Sequence, residues 1–355
     1  MKDWKYIIAY IIPLAAFWGI HQSGWLSFGS VYVSFLLIPL LELVLPKSIT
    51  NHKEEEEETR SNSRFFDVLL YSHVPILYAL VFYALYYFQT HTLTTLETVG
   101  MAYNIGILVG GFGINIGHEL GHRNTSFEQN LSKLLLLPAL YQHFFIEHNR
   151  GHHKNVATDL DPASSRLGEN LYAFWWRSVT GGYMSAWQIE NEQMKREGKA
   201  VMSWSNGMIR FHVYQVAYLV AIGLVFGGPS VLMAIAFGVF GFLLLETVNY
   251  IEHYGLRRKQ LANGRFEPVL PHHSWNSDHE LGRIVLFELT RHSDHHFKAT
   301  RPYQILRHFD ESPQLAFGYP LSMITALVPP LWFKVMDNRI PRPENAIDTT
   351  TLLAA

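Results

Sequence analysis

The sequence predicts an all-α integral membrane protein of six transmembrane helices, with a cytoplasmic helical cap carrying a histidine-rich dinuclear metal site. Three observations predict it. Six apolar runs have lengths that suit bilayer-crossing helices. Lys and Arg are missing from residues 6–46, 65–122 and 211–256, the stretches that hold those runs apart from the start of the fifth, which carries Arg210. Nineteen histidines are present, and eight of them fall into three tight clusters. Composition agrees: 48% of residues are hydrophobic and only 16% charged, against roughly 25% charged in soluble domains. A net charge of −2 gives no basis for nucleic-acid binding. With no cysteine, disulfides, thiolate metal sites and a cysteine nucleophile are excluded.

The elements follow in order. The run at 6–20 comes after Lys2 and Lys5, as in a signal peptide. A second run at 25–45 follows at once, so the pair reads as a hairpin of spans. Residues 47–63, with five acids at Glu54–Glu58, read as a solvated loop without chemistry. Runs at 65–88 and 97–117 form the next hairpin, so residues 1–122 hold spans one to four and end in the first histidine box. Residues 123–207 are a polar insert with the second box; its apolar stretch 131–148 contains Pro138 and reads as a helix against the membrane or core. Runs at 208–226 and 230–250 turn around Gly227–Gly228–Pro229 and give a unit at 208–254. Residues 255–341 carry the third box. Within them 315–333 is broken by Pro320, Pro329 and Pro330 and reads as an interfacial or re-entrant segment. Residues 342–355 read as a flexible tail or linker. The positive-inside rule puts both termini and every histidine box on the cytoplasmic side.

His118 and His122 are spaced i, i+4, so both imidazoles reach one ion from a helix. Alone, His118–Glu119–Leu120–Gly121–His122 matches the zinc-protease pattern with Glu119 as general base. That reading needs one further ligand and leaves the other boxes idle. In the second box His148 and His152 repeat the i, i+4 spacing, with His153 pointing about 100° away. His292, His295 and His296 share a face if helical, and His253 leaves the sixth span at the same membrane side. Nine imidazoles exceed the roughly four to six ligands of one first-row metal, so two ions share them. Only Glu119–His122 fits the Glu-x-x-His spacing of carboxylate di-iron bundles, which disfavours a ferritin-like site. A metal transporter would want ionisable groups deep in the spans, not at their ends. Two histidine-bound metals at a membrane point to oxygen chemistry on a lipophilic substrate. The lone histidines (His21, His52, His73, His91, His143, His212, His308) read as surface or hydrogen-bonded residues. His272, His273 and His279 read as structural or partner-facing.

HELGH at 118–122, EHNRGHH at 147–153, NYIEHYGL at 249–256, PHHSWNSDH at 271–279 and LTRHSDHH at 289–296 resemble the signatures of the integral-membrane alkane 1-monooxygenases. These belong to the membrane desaturase and hydroxylase superfamily. One departure is Thr290, where the family pattern has Gln before the Arg of the third box. The resemblance implies terminal hydroxylation of medium-chain n-alkanes to 1-alkanols in the bacterial cytoplasmic membrane. It implies two non-haem iron ions, no haem or flavin, O2 as co-substrate, and electrons from rubredoxin with a rubredoxin reductase upstream. It implies His118, His122, His148, His152, His153, His253, His292, His295 and His296 as ligands. Ligating imidazoles usually donate their outer N–H to a carboxylate or carbonyl; Glu119, Glu147, Asp161, Glu252, Asp278 and Asp294 are the candidates. A xylene-type hydroxylase, a fatty-acyl desaturase and a membrane zinc metalloprotease are the alternatives.

An n-alkane has no polar handle, so it binds by burial, about 0.8 kcal/mol per CH2. Counting back from His118 by helical steps gives Ile114, Gly111 and Ile107 as one wall of a channel from the bilayer, with Gly110 and Gly113 alongside. The glycines serve either a slot for the chain or close helix packing. Arg150, Lys154, Arg257, Arg258, Lys259 and Arg301 form either a docking patch for acidic rubredoxin or a plain positive-inside bias. With no cysteine this chain encodes no rubredoxin iron site, although a linker at 342–355 would permit a fused one.

Overall fold

The computed structural model describes residues 2–341; the predicted tail at 342–355 lies outside them. Helices dominate, and among the described residues β-structure is limited to isolated bridges. A 3-10 turn at Lys2–Tyr10 leads into α1 (Ile11–Ile20), followed by α2 (Gly24–Glu42), α3 (Glu54–Ser61), α4 (Arg64–Thr90), α5 (Thr95–Gly121) and α6 (Ser126–Leu136). Phe144–Glu147, His148–His152 and His153–Asn155 run on as α7. Then come α8 (Leu171–Arg196), α9 (Gly207–Phe226), α10 (Gly228–His253), α11 (Glu280–Val285), α12 (His292–Phe297), α13 (Tyr319–Ala326) and α14 (Pro329–Met336).

Five of these, α2, α4, α5, α9 and α10, are long and apolar enough to cross a bilayer, and we read the chain as a membrane protein. The first predicted run is not among the five. It is helical throughout, but winds as 3-10 before Tyr10 and as α after it. Pro13, with no N–H to return to Ala9, stands near the change. Nine 3-10 and ten α residues still rise about 33 Å. Its inner stripe of Tyr6, Ala9, Ile12, Ala16 and Ile20 is buried in the main core.

α5 is the hub. Of its apolar window 83% is buried, against 17% for α9 on the outside of the bundle. Its start is fixed by a capping box in which Thr94 accepts from the Glu97 N–H and Glu97 accepts from Thr94. α10 packs along it. Gly110 permits their close approach, because a Cβ there would stand 2.6 Å from the Gly241 carbonyl oxygen. Halfway along, residues Val109–Ile114 wind as a π turn.

Two loop expectations are corrected. The acidic stretch is a helix, α3, whose Glu57 takes both Arg307 nitrogens at 2.7 and 2.6 Å. The run at 315–333 is two helices: α13 and α14 fold back and bury Tyr319, Met323 and Trp332 against Tyr250, Tyr254 and Trp275 in a second core, while Leu327, Val328 and Leu331 at the turn stay exposed. That core supports the end of α10 from which the site is built.

Candidate metal centre

α5, α7, α10 and α12 bring nine imidazoles together. His118, His122, His148, His153 and His295 form one group; His152, His253, His292 and His296 form a second. In the first, Nε2–Nε2 separations are 2.9 Å (118–295), 3.1 Å (122–148), 3.0 Å (148–153) and 3.1 Å (153–295). In the second they are 3.2 Å (152–296), 2.9 Å (292–296) and 3.2 Å (253–292). These chains are not hydrogen-bond chains. A neutral imidazole nitrogen has one hydrogen or one lone pair, so an Nε2 cannot both give to one neighbour and take from the next. Two nitrogens bound at right angles about 2.1 Å from one ion stand about 3.0 Å apart. The spacings fit edges of two metal coordination shells.

Electrostatics agrees. Burial pulls His148, His153, His292, His295 and His296 well below the ordinary histidine range, with neighbouring imidazoles adding to the effect. His122 is pulled down to about 3 by the same causes. These rings are neutral at pH 7 and offer lone pairs, as metal ligands must. His152 differs: burial lowers its pKa, but the Asp161 carboxylate outweighs that and raises it.

The partition of the second box departs from the sequence reading. An α-helix would pair His148 with His152. The segment His148–His152 winds as a π turn, with i→i+5 bonding. His148 therefore joins His153 in the five-histidine group, and His152 goes to the other. The third box also divides, His292 and His296 to one group and His295 to the other. Both boxes thus serve both groups.

Of the six carboxylates proposed for the outer nitrogens, Asp161 stands there: its Oδ2 is 2.9 Å from His152 Nδ1, and it is held by Ser164 Oγ and the Ala163 N–H. Glu119 instead takes Arg123 at 2.9 Å and the Tyr303 N–H at 3.2 Å. It is thereby engaged away from the imidazoles, where a protease would need it as base. Glu147 accepts from Ser185, and burial, followed by Asp161, pushes its carboxyl up to about 8. Asp278 pairs with His308, and Asp294 with Arg301 and the Arg307 N–H. Glu252 faces the other way, toward His292 Nε2.

An apolar cavity of about 90 Å3 ends on this centre. His118, His148, His292, Asn115 and Asn249 form its polar end; Phe35, Ile38, Ile107, Leu244 and Val248 are among its apolar walls. Ile107 and Gly111 line it as the sequence reading has them. Ile114 does not: the π turn at Val109–Ile114 shifts the helical phase, and the side chain is buried in the core. The glycines also separate by role. A Cβ on Gly111 would meet nothing within 4 Å, whereas one on Gly113 would stand 3.1 Å from Leu77 and 3.2 Å from the Leu135 carbonyl oxygen.

Sequence comparison decides the family. An alkane 1-monooxygenase of Pseudomonas putida is 40% identical over 331 residues, covering 92% of this chain and 82% of that protein. The chain belongs to the alkane 1-monooxygenase family. Alkane 1-monooxygenase 2 of Pseudomonas aeruginosa is 38% identical over 343 residues, 93% of this chain and 91% of its own length. The hydroxylase component of a xylene/toluene monooxygenase from Pseudomonas putida is 28% identical over 345 residues, 95% of this chain and 88% of that protein. The fatty acid desaturase family model matches residues 98–324, a stretch that contains all nine histidines. As a member of the alkane 1-monooxygenase family the chain is an enzyme, an oxidoreductase.

The cavity-end residues Asn115 and Asn249 escaped the sequence reading. Their signal was a polar side chain inside an apolar span, one turn before a box histidine. The basic residues proposed as a docking patch are mostly engaged within this alkane 1-monooxygenase fold. Arg150 binds Glu190, Arg258 donates to the Glu267 carbonyl, and Arg301 holds Asp294. Lys154 and Lys259 are exposed. His273 takes the Leu270 N–H on Nδ1 and gives its Nε2–H to Glu267, a structural bracket; His279 bonds Ser277.

Proposed function

We propose that this enzyme hydroxylates the terminal carbon of medium-chain n-alkanes to 1-alkanols, using O2 and two electrons from rubredoxin at two non-haem irons. The observation that carries the reading is the apolar cavity ending on imidazoles of both groups. The nine imidazoles would hold the two irons, His118, His122, His148, His153 and His295 one and His152, His253, His292 and His296 the other. Iron so bound would supply O2 activation. The protein supplies placement. Apolar walls take the alkane from the bilayer and hold it by burial, about 0.8 kcal/mol per CH2. They exclude water from the reacting end, and a blind polar end limits attack to the chain terminus. Asp161 fixes the His152 tautomer by accepting from Nδ1.

On this reading six spans, counting residues 2–20, leave both termini and the centre on the cytoplasmic side of the bacterial inner membrane, where rubredoxin docks. His122 and His153 are the partly exposed members of the set and mark the edge open to a donor. The test is iron stoichiometry with product analysis on octane, xylene and an acyl substrate. Two irons per chain and 1-octanol formed only with O2 and reduced rubredoxin are expected. One zinc and no iron would sink the oxygenase reading; xylene or acyl products in place of octanol would move the substrate.

A further inference from the structure

The two histidine groups are unequal in number, five against four, and a buried carboxyl stands beside His292 of the smaller one. Glu252 Oε2 lies 3.2 Å from His292 Nε2. That nitrogen is also 2.9 Å from His296 Nε2 and 3.2 Å from His253 Nε2. Glu252 Oε2 thus touches the same nitrogen of His292 that faces the other imidazoles, while standing outside the four-histidine set whose ligating atoms all lie within 4.8 Å of one another. The outer nitrogen, His292 Nδ1, is buried with no hydrogen-bond partner.

The rest of Glu252 is fixed for the same task. Its Oε1 accepts from Tyr319 Oη at 2.9 Å, which orients the carboxyl and leaves Oε2 toward the histidines. The side chain is 1% exposed. Two other buried acids have cationic partners, Glu288 with Arg283 and Asp294 with Arg301, whereas Glu246 is satisfied by Tyr141, Ser178 and Asn249. Among the described residues no Arg or Lys pairs with Glu252. A buried carboxylate without a cation is costly, and so are two divalent ions held only by neutral rings; each offsets the other. Oxygen ligands bind first-row ions at about 2.0–2.2 Å, so a carboxylate oxygen fits the same ~3 Å edge as a nitrogen.

We infer that Glu252 is the tenth metal ligand, an oxygen donor that completes the four-histidine group to five donors beside the cavity. The assignment rests on the two-metal reading. It also gives the two ions different charge environments, one bound by five neutral nitrogens and the other by four nitrogens and an anion.

The test is titration of the full-length apoprotein with Co(II), comparing wild type with E252Q. Glutamine keeps the volume and can still accept from Tyr319, but presents an amide N–H2 to the histidines. Wild type is expected to bind two Co(II). E252Q should bind one as wild type does and the second at least about tenfold more weakly, with a stronger d–d band as five donors become four. Apo E252Q should melt no lower than apo wild type, because glutamine keeps the volume and the bond from Tyr319. Two unchanged Co(II) sites in E252Q would overturn the assignment. So would an apo E252Q that melts lower or fails to fold, since the carboxylate would then be a structural acceptor for His292. Wild type binding fewer than two ions would overturn the two-metal reading itself, a result independent of the variant.

Discussion

Replacing Gly111 by leucine tests the cavity as the seat of chain-length selection. The site is unusual in the hub helix because its missing side chain leaves open space: a Cβ meets nothing within 4 Å, and the residue lines the cavity. A leucine there adds four carbons, the first of which enters open space. A chain that had filled the space loses up to four methylene positions, about 3 kcal/mol at about 0.8 kcal/mol each, or roughly two orders of magnitude in kcat/KM. Shorter chains, which leave that space empty, should be oxidised as before. Helix stability should not fall, since leucine exceeds glycine in helix propensity by roughly 0.5–1 kcal/mol. The assay is gas chromatography of alkanols from an alkane series at equal iron content. The longest accepted alkane should shorten by about four carbons. The neighbouring Gly110→Ala drives a Cβ to 2.6 Å from the Gly241 carbonyl and should instead lower stability. An unchanged profile in the leucine variant would refute the role of this cavity.

Three further outcomes are expected. Asp161→Asn weakens the orienting bond on His152 Nδ1 and should lower metal affinity about 10- to 100-fold at the four-histidine group alone, read by metal titration. Glu119→Gln breaks the buried contact with Arg123; about 3 kcal/mol of stability should be lost while two metals per chain are retained, whereas loss of catalysis at full metal content would revive Glu119 as a base. In the apoprotein, His122, His148, His153, His292, His295 and His296 have folded-state pKa values below the unfolded value. The unfolded chain then binds more protons below pH about 6.5, so stability falls with pH by up to about 1.4 kcal/mol per unit per ring. Apo melting temperature should be flat above neutrality and fall steeply below it; a flat acid limb would show the rings are not buried neutral.

Much of this was legible because it is periodic. Apolar runs and the absence of Lys and Arg marked five long helices to within a few residues; box spacing marked eight of the imidazoles, and His253 came from its place in the NYIEHYGL motif at the end of the sixth run. Winding was not legible. The π turns at Val109–Ile114 and His148–His152 follow from packing of the folded chain, and each changed an assignment: Ile114 left the cavity wall, and His148 exchanged His152 for His153 as partner. Carboxylate roles were equally hidden, since Glu119, Asp161 and Glu252 sit close to box histidines in sequence but point in three different directions. The fold-back of α13 and α14 was masked because their prolines, read as breaks, instead begin short helices at N1 or N2.

The π turn in the second box has a consequence for how this segment tolerates change in length. A single deleted residue would relax the wide turn into ordinary α winding, and a single insertion would rotate the next helix by about 100°. The deletion would keep His148 and His153 on one face, at i, i+4 of an α-helix, whereas the insertion would leave every histidine present yet turn His152 and His153 away from their groups. Substitutions between the histidines leave the count intact, although a Cβ on Gly151 would stand 2.5 Å from Glu147 Oε1. Here the spacing is inherited as a number of residues, and the chain has no half-step by which to alter it.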